Sequence, residues 1–150
     1  MCKNNEKELR EIQENMQLVE EYPFLKPLDA GKDYDYSYTY LDDIPLGWKK
    51  AFGRQFCKEL KAALSDEELS GYSVCQAKEK YGGLRWYDVG GNDETNKVID
   101  KYEEISQNTC VNCGKKATKY TTGWILPVCD DCAKEIKKKN PKTIFRDISN

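Results

Sequence analysis

The sequence Cys110-Val111-Asn112-Cys113-Gly114 and, after it, Cys129-Asp130-Asp131-Cys132 contains two Cys-x-x-Cys pairs separated by 15 residues. Two residues between thiols allow a tight turn to direct both sulfurs at one ion, and this spacing is typical of zinc sites. Four thiolates complete a tetrahedral shell and leave no position for water or substrate, which is the property of a structural site. The pattern therefore predicts one structural Zn²⁺ bound by Cys110, Cys113, Cys129 and Cys132.

Two other chemistries use paired cysteines. A redox dithiol is disfavoured, because such a motif usually opens a helix beside a βαβ pattern, which this sequence lacks. Iron–sulfur clusters also take four cysteine ligands, so the spacing alone leaves iron open as the metal.

The residues around the cysteines indicate a finger of the treble-clef type. Gly114 suits the positive φ that a knuckle often needs after its second thiol. Residues 119–128 can form a hairpin that brings the two pairs together. The second pair opens a helix, with acidic residues 130–131 in its first turn and lysines 137–139 in its last. The expected order is therefore knuckle, hairpin and helix.

Composition restricts the remaining chemistry. The 150-residue chain has no histidine, which excludes Ser-His-Asp and Cys-His catalysis and zinc sites with imidazole ligands. Seven cysteines, three of them outside the pairs, do not fit a disulfide scaffold and favour a reducing compartment. The longest apolar run is far shorter than a membrane helix needs, and the first residues have no signal-like apolar stretch. We therefore expect a cytoplasmic protein with no membrane segment.

Charge is distributed unevenly along the chain. Residues 1–109 carry 15 basic and 22 acidic side chains, whereas residues 110–150 carry nine basic and four acidic ones. A basic end can attract an anionic partner, although a solvated helix and tail explains the same charges. Nucleic-acid binding is therefore one hypothesis, and the acidic remainder of the chain weighs against it. Its candidate phosphate contacts are Lys115, Lys116, Lys119, Lys134, Lys137, Lys138, Lys139, Lys142 and Arg146.

Apolar spacing predicts three helices, at residues 6–21, 46–64 and 92–107. The helix at 46–64 is the strongest core element, because five large apolar side chains recur every four residues, at Trp48, Phe52, Phe56, Leu60 and Leu64. The helix at 6–21 has one apolar row, formed by Leu9, Ile12, Met16 and Val19. We expect this row to pack on the protein's own core, and a partner-binding face or a dimer seam is the alternative.

A tyrosine row interrupts the loop-like residues 23–45. Tyr34, Tyr36, Tyr38 and Tyr40 alternate with small or acidic residues, so an extended strand would place all four on one face. Tyrosine gives a large amphipathic contact area at low entropic cost, which makes this row a candidate binding surface. An ordinary half-buried strand is the competing interpretation.

A β-hairpin is predicted at residues 72–89, with Gly82-Gly83 between its strands. Lys78, Lys80 and Arg85 are candidates to meet near the turn and bind a phosphate or carboxylate, with Glu79 paired to one of them. A charged hairpin without a ligand explains the same residues.

The segment Lys78-Glu79-Lys80-Tyr81-Gly82-Gly83-Leu84-Arg85-Trp86-Tyr87, followed by the two cysteine pairs with Gly123-Trp124-Ile125 between them, resembles a group of small phage and prophage proteins. Those proteins have a KEKFGGLR[FY]Y-like segment followed by a paired-CxxC finger. The similarity covers roughly residues 45–135, and the combination is more specific than the finger alone. It implies a phage context rather than an activity. Small phage proteins often bind and redirect host machinery or block host defence.

Together these features predict an α+β fold in three parts. They are an N-terminal amphipathic helix at 1–22, an α+β core at 23–107 and a four-cysteine zinc finger with a basic helix and tail at 108–150. The leading functional hypothesis is a non-enzymatic zinc protein that binds a host protein, with an inhibitor of a defence nuclease or effector as one form. Nucleic-acid binding is the second hypothesis, and an enzyme acting on a phosphate-bearing substrate through the 76–87 hairpin is the third. The oligomeric state stays open.

Overall fold

A computed structural model describes residues 2–148, with side chains from residue 4 onward. Helices combine with two small antiparallel sheets, which confirms the predicted α+β class. Within these residues, no helix has both the length and the apolar character needed to cross a bilayer. The elements in chain order are α1 (Cys2–Glu21), α2 (Leu46–Trp48), a π-helical turn (Lys49–Gly53), α3 (Arg54–Ala62), α4 (Asp66–Gly71), β1 (Ser73–Lys80), β2 (Gly83–Val89), α5 (Asp93–Gln107), β3 (Lys119–Thr121), β4 (Pro127–Val128), α6 (Asp130–Lys139) and β5 (Phe145–Asp147).

The central helix runs without a break through α2, the π-helical turn and α3. Its five predicted core residues are all buried: Trp48, Phe52, Phe56, Leu60 and Leu64. A strict spacing of four residues drifts around an α-helix, which has 3.6 residues per turn. The π-helical turn has i→i+5 hydrogen bonds and more residues per turn than an α-helix. It therefore rotates the row of large apolar side chains around the helix axis against the drift produced by the α-helical segments. This turn therefore keeps Trp48, Phe52, Phe56 and Leu60 on the core face, and Leu64 lies just beyond the end of the helix at Ala62, two residues before its predicted end.

Aromatic rings join the central helix to the hairpin and to α5. The Phe56 ring meets Trp86 of β2 edge-on at 4.9 Å between centroids and lies 5.0 Å from Tyr102 of α5. The side chain of Asn92 caps α5 by accepting a hydrogen bond from the Thr95 amide and donates another to the Ala63 carbonyl. The N-terminus of α5 is thereby fixed to the end of the central helix.

The hairpin turn differs by one residue from the prediction. Tyr81 and Gly82 form it, with φ values of 53° and 81°, and Gly83 already pairs with Lys80 in the sheet. Two left-handed residues in succession are the type I′ geometry, whose twist matches that of paired strands. The strands are otherwise where the sequence predicts them.

The N-terminal helix packs on the body with a different face from the expected one. Between residues 4 and 21, Asn15 and Leu18 are the buried residues, and Tyr22 just after the helix is also buried, whereas Leu9 is 58% and Met16 is 48% exposed. The expectation that the apolar row covers the core is therefore wrong for these two side chains. The reason is angular, because the row lies roughly a third of a turn away from the buried face.

The tyrosine row is not an extended strand. Tyr36 has a left-handed φ of 61° at a bend in the chain, which breaks the alternation on which a shared face depends. Tyr40 is buried at the start of a 3₁₀ turn (Tyr40–Asp43), and its hydroxyl accepts a hydrogen bond from the Leu28 amide. The strand prediction is therefore wrong.

The C-terminal sheet has the strand order β4-β3-β5. The β3–β4 hairpin and the helix α6 follow the predicted order of the finger. Strand β5 was not expected from the sequence; it pairs with β3 over Thr121↔Phe145 and two further positions. The segment after α6 thus folds back on the finger.

Candidate metal centre

The four cysteines of the two pairs converge at one point in the finger. Cys110 and Cys113 lie in the knuckle after α5, where the Gly114 amide donates to the Cys110 carbonyl at 3.0 Å. Gly114 has the predicted left-handed φ, at 85°. Cys129 is the N-cap of α6, and its Sγ accepts a hydrogen bond from the Cys132 amide at 3.4 Å. A turn and a helix start therefore aim two thiols each at the same volume.

The sulfur positions fit one metal ion. All four Sγ atoms lie within 4.8 Å of one another, and the Cys113 and Cys129 sulfurs are 3.5 Å apart. Tetrahedral thiolate ligation at the zinc–sulfur bond length implies sulfur separations of about 3.8 Å. Four soft sulfur donors in this arrangement suit Zn²⁺ or iron rather than a hard cation. The cluster can therefore hold a metal with no coordination position left over.

Backbone amides stabilise negative charge on one of the thiols. Burial alone would raise the pKa of Cys110, but backbone N–H groups of Cys113, Cys129 and Asn112 outweigh it and lower the pKa to about 7. Burial and the neighbouring thiols raise the pKa of Cys132. Negative charges on neighbouring thiolates repel one another, so the four thiols do not all lose their protons without a cation. A bound metal ion would neutralise this repulsion and allow all four cysteines to be thiolates.

The knuckle is docked directly on the start of the central helix. The Gly47 amide donates to the Val111 carbonyl at 2.8 Å, and the Trp48 indole donates to the Thr109 carbonyl at 2.9 Å. A Cβ on Gly47 would lie only 2.2 Å from the Cys110 carbonyl oxygen, so no other residue fits without movement. The finger is therefore part of the main core rather than an appendage held only by α5.

The finger loop also meets the tip of the β1–β2 hairpin. The Trp124 indole donates to Oε1 of Glu79 at 3.1 Å, and Oε2 of the same carboxylate accepts from the Gly82 amide at 2.9 Å. A Cβ on Gly82 would lie 3.3 Å from Cγ2 of Ile125. Two segments separated by about 40 residues in sequence thus form one continuous surface at this end of the molecule.

A cleft of 340 Å³ lies between these two segments and is lined by residues 78–81 and 123–125. Tyr81 and Trp124 at its edge are each 74% exposed. We call Lys78, Lys80, Tyr81, Trp124 and Ile125 the tip surface. The sequence indicated only the two lysines of this set as candidate binding residues. Gly82 and Gly123 have left-handed φ values and follow or precede the two aromatic residues directly, so these glycines were the sequence signal that Tyr81 and Trp124 lie in exposed turns.

The four hairpin candidates divide between the tip surface and structural roles. Lys78 and Lys80 are at the tip, where their Nζ atoms lie 5.7 Å from the Tyr87 ring centroid and 5.6 Å from that of Tyr81. Glu79 fixes the turn and Trp124 rather than pairing with a basic side chain of the hairpin. Arg85 faces Lys78 across the strands, but its guanidinium is bound to Glu103 of α5. The expected cluster of three basic residues around one ligand therefore does not form.

The four tyrosine candidates do not form a single surface. The rings of Tyr34 and Tyr36 are 4.6 Å apart, and the Tyr34 hydroxyl donates to the Tyr38 carbonyl. The Tyr38 hydroxyl donates to Asp43. With Tyr40 buried, the segment is held mainly by its own hydrogen bonds, and any binding role of these residues stays a prediction.

Several basic residues of the finger are paired with acidic ones. Lys119 contacts Asp147 at 2.7 Å, and Lys115 and Lys138 contact Asp131 and Glu135 at 3.8 and 3.1 Å. The Nζ of Lys137 donates to the Thr143 carbonyl. The remaining candidates for phosphate contact, Lys116, Lys134, Lys139, Lys142 and Arg146, are exposed. This part of the chain thus has a mixed rather than a uniformly basic surface.

Comparisons with protein-family models, with curated proteins and with solved structures give no match to this chain.

Proposed function

We propose that this protein is a non-enzymatic, zinc-containing binding protein of phage type that acts on a host protein in the cytoplasm of the host cell. An inhibitor of a defence nuclease or effector is the specific form we favour. The observation that supports the proposal is the tip surface, where the exposed Tyr81 and Trp124 line the same cleft as two lysines. Residues 78–81 of the hairpin and residues 123–125 of the finger loop, which both belong to the region that resembles phage proteins, contribute to this surface.

Zinc is the metal we assign to the four cysteines, and its role is structural. A closed tetrahedral thiolate site stabilises the fold and activates no water. In this chain the knuckle contacts the central helix at Gly47. The finger loop contains Trp124, whose indole is hydrogen-bonded to Glu79 of the hairpin. The metal would thus support the tip surface without taking part in recognition.

The tip surface is held in place before any partner binds. The Glu79 carboxylate fixes the Trp124 indole and the Gly82 amide together, and the Thr121 hydroxyl donates to the Trp124 carbonyl. Large exposed aromatic side chains are the residues that most often dominate protein–protein binding energy. Fixing them in advance lowers the entropic cost of association.

The charge beside the aromatic residues indicates the partner's chemistry. Lys78 and Lys80 flank the cleft, and Glu79 is already engaged by Trp124 and the turn. A partner that inserts an apolar group into the cleft and places Asp or Glu side chains around it would match this pattern. The expected interface is therefore an acidic protein surface.

Affinity purification from host lysate, quantified by mass spectrometry, tests the proposal. Trp124→Ala and Lys80→Glu should each remove the same captured protein, whereas Leu28→Ala, which shortens a 62% exposed apolar side chain elsewhere, should retain it. All proteins must keep their metal and their unfolding temperature. If tip-surface variants capture the same proteins as wild type, or if the protein turns over a substrate independently of these residues, the proposal is wrong.

A further inference from the structure

The N-terminal helix α1 leaves the first three residues of its apolar row, Leu9, Ile12 and Met16, without a partner in the described structure, whereas Val19 packs against the core. Leu9 and Met16 are 58% and 48% exposed, and Ile12 between them is half-buried. The face about a third of a turn away is already used, because Asn15 and Leu18 are buried and the Asn15 side chain donates to the Tyr36 carbonyl at 2.9 Å. α1 therefore packs on the body through one face and exposes an apolar face beside it.

The spacing of this row is that of a helix–helix contact. Leu9, Ile12, Met16 and Val19 follow one another at intervals of three, four and three residues. That sequence of intervals is the a/d pattern by which one helix packs along another. Anchors at i, i+3 and i+7 are also the usual signature of a helix that binds a partner through one apolar face.

The residues beside the row indicate which charge a partner should have. Going around the helix, Glu6, Gln13 and Glu20 border the row on its solvent side, and Glu8 borders it on the other. All four side chains are exposed. Within residues 4–148, neither Glu8 nor Glu20 takes part in an ion pair. The row is therefore bordered by negative charge.

A second copy of the chain fits this face poorly. Two such rows facing each other would bring the glutamates of both helices together, and like charges at these flanking positions disfavour pairing. Residues 1–109 as a whole carry seven more acidic than basic side chains, which adds to the repulsion.

We propose that this face of α1, centred on Leu9, Ile12 and Met16, docks an amphipathic helix of a partner protein whose apolar stripe is flanked by Lys or Arg. Opposite charge at the flanks fixes which partner binds, and the apolar row provides the contact area. This surface is separate from the tip surface, so each can be tested while the other is left intact.

Two labelled helical peptides of about three heptads serve as probes, both with Leu at a and d and with either Lys or Glu at the flanking positions. Fluorescence anisotropy with the full-length protein at low salt should show saturable binding of the Lys peptide and none of the Glu peptide. Met16→Glu should weaken binding about tenfold or more, because it removes a buried methionine contact.

Gln17→Glu is the matched control, since it adds the same charge one residue away but outside the row. It should not weaken binding of the Lys peptide. Leu9→Glu gives a second test in the same row, two turns before Met16, and it should weaken binding as Met16→Glu does. Circular dichroism confirms that each variant keeps its helix content.

Three results would overturn the proposal. They are no binding of the Lys peptide at low salt, equal effects of Met16→Glu and Gln17→Glu, or wild-type self-association in sedimentation that Met16→Glu abolishes. The last result would identify a second copy as the occupant.

Discussion

The indole Nε1 of Trp48 donates a hydrogen bond of 2.9 Å to the main-chain carbonyl of Thr109, the residue that precedes the first metal-site cysteine. Trp48 is completely buried and Thr109 is 7% exposed. Next to this bond, Gly47 contacts the Cys110 carbonyl so closely that a side chain has no room. The knuckle that contains Cys110 and Cys113 is thus packed with the aromatic core as one unit, and the stability of each depends on the other.

Replacing Gly47 by alanine should destabilise the whole protein. The new Cβ would meet three backbone atoms of residues 110–111 at 2.2 to 2.7 Å, and backbone cannot move aside as a flexible side chain can. We expect a loss of about 2–4 kcal/mol in the free energy of unfolding, measured by urea denaturation. Gly71→Ala, where nothing lies within 4 Å of the new Cβ, should be neutral or slightly stabilising. Equal effects of the two changes would contradict the docking of the knuckle on the helix.

Removing one thiol of the metal centre should unfold the finger and weaken the core. Cys113→Ser should abolish metal binding and lower the thermal unfolding temperature, because folding of a closed thiolate site is linked to its metal. Cys75→Ser, at an exposed cysteine outside the cluster, should change neither property. A metal-free Cys113→Ser protein that unfolds at the wild-type temperature would show that the site is not structural.

Losing the Glu79 carboxylate should release Trp124 without removing the metal. Trp48 is fully buried and Trp86 is 5% exposed, so acrylamide quenching reports mainly on Trp124. Glu79→Ala removes the acceptor for the indole and for the turn amide, and each such bond contributes about 0.5–1.5 kcal/mol. We expect only a small increase in quenching, because Trp124 is already 74% exposed, together with unchanged metal content and weaker capture of the partner, with Glu94→Ala as an exposed control.

Stability should fall at acidic pH in part through Glu59. Burial would raise the pKa of its carboxyl group, but hydrogen bonds from Lys101 and Tyr102 and the charge of Lys101 outweigh it and hold the pKa below its usual value. A lowered folded-state pKa gives stability that is present above the unfolded-state pKa and is lost as pH falls through the folded-state pKa. Glu59→Gln should therefore flatten the acid side of the stability–pH curve, measured by urea denaturation at each pH.

Local sequence patterns predicted the elements whose residues are neighbours along the chain. The four-residue repeat from Trp48 to Leu64 gave the central helix, and the paired cysteines gave the finger with its positive-φ Gly114. The same repeat also contained the signal for the π-helical turn, because no straight α-helix keeps five residues at that spacing on one face.

Features that depend on long-range packing were not predictable in this way. The sequence of α1 contains an apolar row, but the helix packs on the rest of the protein through the face that contains Asn15 and Leu18. The strand predicted from the alternating tyrosines does not form, because Tyr36 has a left-handed φ at a bend in the chain. The tip surface joins residues 78–81 to 123–125 through a contact between Glu79 and Trp124 that no local periodicity encodes.

The most direct test of the central claim, a closed zinc site that supports the fold, is X-ray absorption at the zinc edge on the purified full-length protein together with its metal content. We expect one zinc per chain surrounded by four sulfur atoms at about 2.3 Å, with no light-atom ligand. An iron–sulfur absorption signature, a nitrogen or oxygen ligand in the zinc shell, or a fully folded finger without metal would contradict it.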